Sequence, residues 1–414
     1  MNDRSFAANV GHASGATPHR ARRASSRRAA PASDFPGQIV LVLQGGGALG
    51  AYQVGVYEAM HEYGAEPDWV IGTSIGAINA ALIAGNAPSQ RLSRLVEFWA
   101  RMEASVLHPD LLQFFTGLAN ASVNLTTVMR GIPAFFQPHG PAWFGSHVPL
   151  GVESAGYYST KPLRTTLSDL IDLDHIDARH VRLTVGAVNV RTGAMRYFDS
   201  RDERVTLDHV IASGALPPAF PAVRIDGDPY WDGGIYSNTP IEAVLDDKPR
   251  KDSVIFAVQM WNPEGAEPET LWQVMGRQKD IQYASRADSH IARQKQIHHL
   301  RHIIRELAQR IPASARGSAE VQELASWGCG TPMHVARLVA PRIDGEDHTK
   351  DIDFTPSGIR SRWRAGYEDT KRMLDAAPWR TSADPIEGVI IHDDPMRRAH
   401  DPVRGVDGFA GRTR

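Results

Sequence analysis

The chain has 414 residues, with 45 Lys and Arg against 47 Asp and Glu and a formal net charge of −2. That length holds roughly two to three domains, or one large α/β domain with extensions, and a near-neutral balance gives no electrostatic basis for nucleic-acid binding. A single cysteine, Cys329, excludes a disulfide framework and any multi-cysteine metal site; with no run of about 18 apolar residues and no signal-peptide core, a soluble cytoplasmic protein is expected.

Residues 1–36 are rich in Ser, Ala and Arg (Arg4, Arg20, Arg22, Arg23, Arg27, Arg28), with Asp3 and Asp34 as their acids. Such a stretch buries too little apolar surface to order, so it reads as a disordered basic tail, although an organelle transit peptide shares this composition. From Gln38 the pattern changes. Ile39 to Gln44 is a short β-branched run, GGGALG follows, and Ala51 to Tyr63 has the spacing of a helix ended by Gly64. DWVIG reads as a second buried strand that turns sharply at GTSIG into another helix. Strand, glycine-rich turn and helix, twice over, predict a parallel sheet covered by helices on both faces.

Residues 104–152 break that rhythm: Asp110 and Arg130 are their charged residues, among Phe114, Phe115, Phe135, Phe136, Trp143 and Phe144. Two readings stand side by side, core helices of the main domain or an apolar insertion over a greasy substrate site. The α/β pattern resumes with a strand at 181–190 hairpinned to MRYFDS, a helix at LDHVIASGA and a proline-stiffened LPPAFPAV. A second hairpin spans VRIDGDPYWDGG, and 253–260 is one more buried strand. The catalytic domain is therefore placed at 37–262 and a mainly helical extension at 263–380. Within the extension, Thr270 to Arg310 has helical spacing and a basic face with Arg293, Lys295, Arg301 and Arg305. His290, His298, His299 and His302 lack a His-Glu-x-x-His arrangement and read as surface histidines rather than metal ligands. A strand (MHVARLVA), an amphipathic helix over Ile359 to Leu374 and an irregular tail at 381–414 complete the chain.

Three elements carry chemistry. Gly72-Thr73-Ser74-Ile75-Gly76 is a G-x-S-x-G between strand and helix, a turn that lifts a serine Oγ above the sheet at a helix N-terminus. Gly45-Gly46-Gly47-Ala48-Leu49-Gly50 also fits a dinucleotide fingerprint, but that reading needs an acid at the end of the second strand, whereas Asp68 stands at its start. Exposed N–H groups beside a serine serve equally as an oxyanion hole, and that reading wins. A nucleophilic serine needs a base; Asp232, followed by Gly233 and Gly234 in a tight turn, is the candidate.

In this order, and with ASGALPPAFPAV and YWDGGIYSNTP around them, the three motifs resemble the patatin-like phospholipase family over roughly Val40 to Val244. The resemblance implies a three-layer α/β/α sandwich with a mostly parallel central sheet, extended at its C-terminus as in a bacterial subgroup. It implies a Ser74–Asp232 dyad that cleaves lipid carboxyl esters through an acyl-enzyme, with no cofactor, a lipid or acyl-ester substrate and transient contact with a membrane surface; protein partners stay unread. The chain departs from the family at Leu49, where Arg or Lys is usual, and at Gly234, where Ala is commoner. Metal independence is expected because no Ca²⁺ loop is present. Two rivals remain open: a Ser-Asp-His hydrolase using His334 or His348, and a catalytically silent lipid- or partner-binding module on the same fold.

Overall fold

Leu41 and Leu43 of the first strand face one apolar core and Val40 and Val42 another, and all four are fully buried. A strand buried on both faces needs a layer of helices on each side, and that is the architecture of the computed structural model. It describes residues 35–103, 131–140, 147–343, 346, 348–381, 384, 386–394 and 396, without the side chains of 285–287.

The first part of the chain forms β1 (Gln38–Leu43), α1 (Ala51–Tyr63), β2 (Trp69–Gly72), α2 (Ile75–Ala84) and α3 (Pro88–Glu103). The short pair β3 (Gln137–Pro138) and β4 (Tyr158–Ser159) precedes α4 (Lys161–Leu170), α5 (Leu173–Asp177), β5 (Arg182–Asn189) and β6 (Met195–Asp199). Next come α6 (Leu207–Ser213), β7 (Val223–Ile225), β8 (Asp228–Asp232), α7 (Glu242–Leu245) and β9 (Ser253–Gln259). The C-terminal part adds α8 (Leu271–Arg310), α9 (Ala313–Arg316), α10 (Ala319–Ser326), β10 (Met333–Val339), α11 (Pro356–Ala376) and β11 (Val389–Asp393).

The sheet runs β11-β10-β9-β1-β2-β5 in parallel, with β6 and β8 antiparallel to β5 and β7 beyond β8. On one face α1, α2, α3 and α11 cover Leu41, Leu43, Phe256 and Val258. On the other, Val244 and Leu245 of α7 and Ile291 of α8 cover Val40, Val42, Ile255 and Val335. These are the three layers of an α/β/α sandwich. The register around β5 positions the site. β2 pairs with Arg182–Val185 and β8 with Ala187–Asn189, while β6 spans Thr184–Val188 and so takes the opposite edge. β2 and β8 therefore share one edge and, being of opposite sense, meet end to end.

The C-terminal part is built into this sandwich. Gly55 of α1 and Gly366 of α11 let those helices touch backbone to backbone, since a Cβ at Gly55 would stand 1.9 Å from the Trp363 carbonyl oxygen and one at Gly366 2.0 Å from that of Tyr52. Tyr52 Oη donates to Asp369 (2.7 Å) and Tyr367 Oη to Glu62 (2.6 Å) across the same contact.

Two expectations fail here. The segment read as an irregular tail contains β11, whose Val389 is fully buried as it pairs with Met333 at the sheet edge; five residues are too short a run to stand out from their polar surroundings. Two of the four α8 histidines are not surface groups, while His290 and His299 are half-buried. His298 and His302 are buried, and His298 Nε2 lies 2.9 Å from the Leu245 carbonyl, because this face of α8 packs on α7 and β11. The basic tail, save for Phe35 and Pro36, lies outside the described residues, as do 104–130 and 141–146 of the apolar segment.

Candidate active site

Ser74 stands two residues beyond Gly72, the last residue of β2, and caps α2 with φ 57° and ψ −127°. A left-handed φ in a non-glycine residue costs about 1–3 kcal/mol and persists only where the surroundings enforce it. Here they do. A Cβ on Gly72 would come within 2.3 Å of the Gly76 carbonyl oxygen, and one on Gly76 within 2.3 Å of that of Leu43, so both flanking positions admit only glycine. The Ser74 N–H donates to the carbonyl and Oγ of Ser213 at the end of α6, each at 3.1 Å. Ser213 Oγ in turn donates to the Gly186 carbonyl of β5 (2.6 Å), and Thr73 Oγ1 donates to that of Ser237 (3.4 Å).

Asp232 ends β8 opposite Ala187, while Gly72 ends β2 opposite Val185, so the two strand ends bring carboxylate and hydroxyl together. The side chains of Ser74 and Asp232 are hydrogen-bonded. Asp232 Oδ1 also accepts from the Gly234 N–H (2.7 Å), and the Asp232 N–H donates to the Ala215 carbonyl (3.0 Å). The turn is tight: a Cβ on Gly233 would stand 2.4 Å from the Gly186 carbonyl oxygen. Asp232 is 2 % exposed, and burial outweighs both hydrogen bonds, pushing its pKa up to about 7. A carboxyl poised near neutrality is suited to take and return a proton.

The glycine loop is held by its carbonyls. That of Gln44 accepts from Gln53 (2.7 Å), that of Gly45 from Trp261 Nε1 (2.8 Å) and Asn238 Nδ2 (3.1 Å), and that of Gly50 from Asn79 (3.1 Å). The N–H groups of Gly46 and Gly47 donate to no acceptor among the described residues. Gly45 lies against the serine, where a Cβ would be 3.0 Å from that of Ser74. Gly47 has φ 56° and would place a Cβ 2.2 Å from the Asp351 carbonyl oxygen. Gly45, Gly46 and Gly47 face the cavity with Ser74; Ala48, Leu49 and Gly50 are buried in the one-turn helix that leads into α1. Leu49, 4 % exposed, sits in the apolar core, so the position where a cation was looked for does not border the cavity.

That cavity, about 190 Å³, is lined by Ser74, Ile75, Asp232 and Gly234 and by a cluster of aromatic rings. Phe136 packs edge-on against Tyr158 (4.9 Å between centroids) and Phe220 (5.5 Å), and Phe135 against Phe354 (6.2 Å). Of the aromatic residues singled out in 104–152, Phe135 and Phe136 thus line the site, while Phe114, Phe115, Trp143 and Phe144 lie outside the described residues. No histidine lines the cavity among the described residues. His334 is buried in the sheet with its Nδ1 2.9 Å from His392 Nε2, and His348 lies against Trp272 at a separate cavity of about 360 Å³.

The C-terminal part closes one wall with Tyr283, Asp351, Ile352 and Phe354. Lys279 of α8 holds Asp351 through both carboxylate oxygens (2.8 and 2.9 Å), and buried Lys350 donates to Asp280 (2.6 Å) beside the Trp261 ring. Sequence reasoning missed these residues. Ser213 and Asn238 stood within motifs already quoted, but Trp261, Tyr283, Asp351, Ile352 and Phe354 bear no local signal and reach the site only through packing.

Two family models match the chain, Patatin-like phospholipase over residues 41–245 and Patatin phospholipase over residues 281–386. Patatin-like phospholipase domain-containing protein 6 of Mus musculus is 40% identical over 129 residues, covering 28% of this chain and 10% of its own; the Homo sapiens protein of that name is 40% identical over 129 residues and 9% of its own length. Lysophospholipase nte1 of Aspergillus terreus is 57% identical over 49 residues, 12% of this chain and 3% of that protein. The chain thus spans about a tenth or less of the length of these curated relatives. Among solved structures, VipD from Legionella pneumophila superposes with a TM-score of 0.37 at 16% identity, over 83% of this chain and 67% of that one. The type III effector protein ExoU superposes with 0.27 at 14%, over 83% and 53%. The elbow, the glycine loop and the Asp-Gly-Gly turn fall within the first matched stretch and the wall that closes the cavity within the second: the chain belongs to the patatin-like phospholipase family.

Proposed function

We propose that this protein hydrolyses carboxyl esters of lipids, with Ser74 as nucleophile and Asp232 as its base. The observation that carries this reading is a buried carboxyl of raised pKa, hydrogen-bonded to a serine on a strained elbow, at the floor of an aromatic-lined cavity. Asp232 accepts the Ser74 proton as Oγ bonds to the ester carbonyl carbon. Negative charge develops on the carbonyl oxygen, and the N–H groups of Gly46 and Gly47 receive it. The Ser74 N–H is committed to Ser213 and takes no part. Asp232 then returns the proton to the departing alkoxide, leaving an acyl-serine. In the second half, water gives Asp232 a proton as it attacks the acyl carbon, and Asp232 passes that proton to Ser74 Oγ as the fatty acid leaves. The aromatic rings suit the acyl chain, and a substrate drawn from a lipid surface would bring the protein into transient contact with that surface.

A histidine-dependent triad has no candidate among the described lining residues. The reading is tested by hydrolysis of p-nitrophenyl esters of graded chain length by wild type, Ser74→Ala and Asp232→Ala, with circular dichroism as the folding control. Activity lost in both variants supports the dyad. Robust turnover by Ser74→Ala would overturn it, and a wild type inert on these esters and on phospholipid vesicles would favour the silent binding module.

A further inference from the structure

Tyr283 enters the site from α8, some 50 residues beyond the Asp-Gly-Gly turn, and belongs to none of the three motifs. Its surroundings are nonetheless those of the catalytic loop. Its carbonyl accepts from Gln44 Nε2 (3.2 Å), and its ring lies 4.9 Å from that of Trp261, whose indole N–H holds the Gly45 carbonyl. Main chain and ring are therefore fixed against the base of the glycine loop. Tyr283 lines the cavity together with Ser74 and Asp232, and its hydroxyl makes no hydrogen bond to any of the described residues. A half-buried phenol beside a reacting serine, with a clamped ring and an uncommitted donor, is arranged to meet a ligand atom rather than to stabilise the fold.

The chemistry of the cavity says which atom. Phe135, Phe136, Tyr158 and Phe220 form an apolar cluster suited to an acyl chain, whereas Tyr283 stands against Trp261 and near the carboxylates of Asp232 and Asp351. An ester bound with its acyl chain among the rings turns its alcohol portion toward this polar wall. Resting on the ester-hydrolase reading above, we propose that Tyr283 is a catalytic residue that donates a hydrogen bond to the ester's leaving oxygen as the bond to the acyl carbon breaks. Asp232 supplies the proton that ends on the alcohol; Tyr283 keeps its own and stabilises the charge that builds on the oxygen beforehand. Burial and the nearby carboxylates of Asp232 and Asp351 hold the phenol above its ordinary pKa, so it remains a donor throughout the working range.

A leaving-group comparison tests this. Tyr283→Phe keeps the ring against Trp261 and removes only the hydroxyl. Its kcat/KM, which reports acylation, is measured on a p-nitrophenyl ester and on an alkyl ester of the same acyl chain. An alkoxide needs help in leaving and a nitrophenolate needs little. The expected result is a loss of roughly 10² on the alkyl ester, the size typical of one donor to a developing charge, and a loss at least tenfold smaller on the aryl ester. An equal loss on both esters, or no loss on either, overturns the proposal. Ser74→Ala, run beside it, separates the two readings. If that variant is inactive while Tyr283→Phe shows no leaving-group dependence, only the role of Tyr283 fails; if it stays active, or if wild type is inert on both esters and on phospholipid vesicles, the hydrolase reading fails with it.

Discussion

The glycine loop, the elbow and the Asp-Gly-Gly turn owe their shape to backbone geometry, whereas the wall formed by Tyr283, Asp351, Ile352 and Phe354 is placed by side-chain contacts. In the first region a positive φ at Ser74 and Gly47, and main chain so close to Gly47, Gly72, Gly76 and Gly233 that an added Cβ would stand 2.2–2.4 Å from a carbonyl oxygen, require particular residues at particular spacings. In the second, a lysine clasping a carboxylate and a ring leaning on an indole would serve at many spacings. Chemistry that rests on backbone shape leaves a motif; chemistry that rests on packing leaves none.

The sharpest way to break this comparison is at the crossing of α1 and α11, which ties the two regions together. Gly366→Ala drives a Cβ into the Tyr52 carbonyl, and overpacking against main chain is expected to cost about 3 kcal/mol, read as a lower midpoint in urea. Leu49→Arg places a charge in the apolar core and should lose about 2–4 kcal/mol without raising activity. A gain in turnover would show that the absent cation matters after all.

A third prediction concerns Asp232 and the pH scale. Its folded pKa of about 7 lies above the unfolded value of about 3.9, so ionising it opposes folding. The associated stability is fully present below about pH 4 and is lost as pH rises through 7, a span worth roughly 4 kcal/mol at most. Asp232→Asn should therefore gain stability over wild type between pH 4 and pH 7, then hold a constant margin, while losing activity throughout. Thermal melts across that range check it, and a margin that shrinks with rising pH would reverse the sign.

Smaller effects sharpen the picture. Gly47→Ala strains a left-handed position and drives a Cβ into the Asp351 carbonyl; a displaced N–H at the proposed oxyanion site should lower kcat by about 10²-fold with a stability loss of about 2–3 kcal/mol. Lys279→Met frees Asp351, but this pair is partly exposed, so the cost is about 1 kcal/mol or less and the change in kcat/KM only a few-fold.

The alternation of strands with glycine-rich turns made the parallel sheet and both helix layers legible, because strands buried on two faces read as unbroken apolar runs. Ser74 and Asp232 were legible as residue types in the right turns, but their meeting was not. It depends on β2 and β8 sharing one edge of β5, a register that involves residues more than 150 positions apart. β11 escaped notice because five residues flanked by polar chain carry too little periodicity. The burial of His298 and His302 was not legible because a helix pattern shows which residues share a face and not what covers that face.

The central claim is that Asp232 activates Ser74 directly. Its most direct test is the rate at which a fluorophosphonate ester labels the protein, followed across pH 5 to 9 with the modified residue located by peptide mapping. The account predicts labelling at Ser74, a rate that rises through an apparent pKa of about 7, and a slow, pH-independent rate in Asp232→Asn. Labelling elsewhere in the chain, or an unchanged rise through pH 7 in Asp232→Asn, would contradict it.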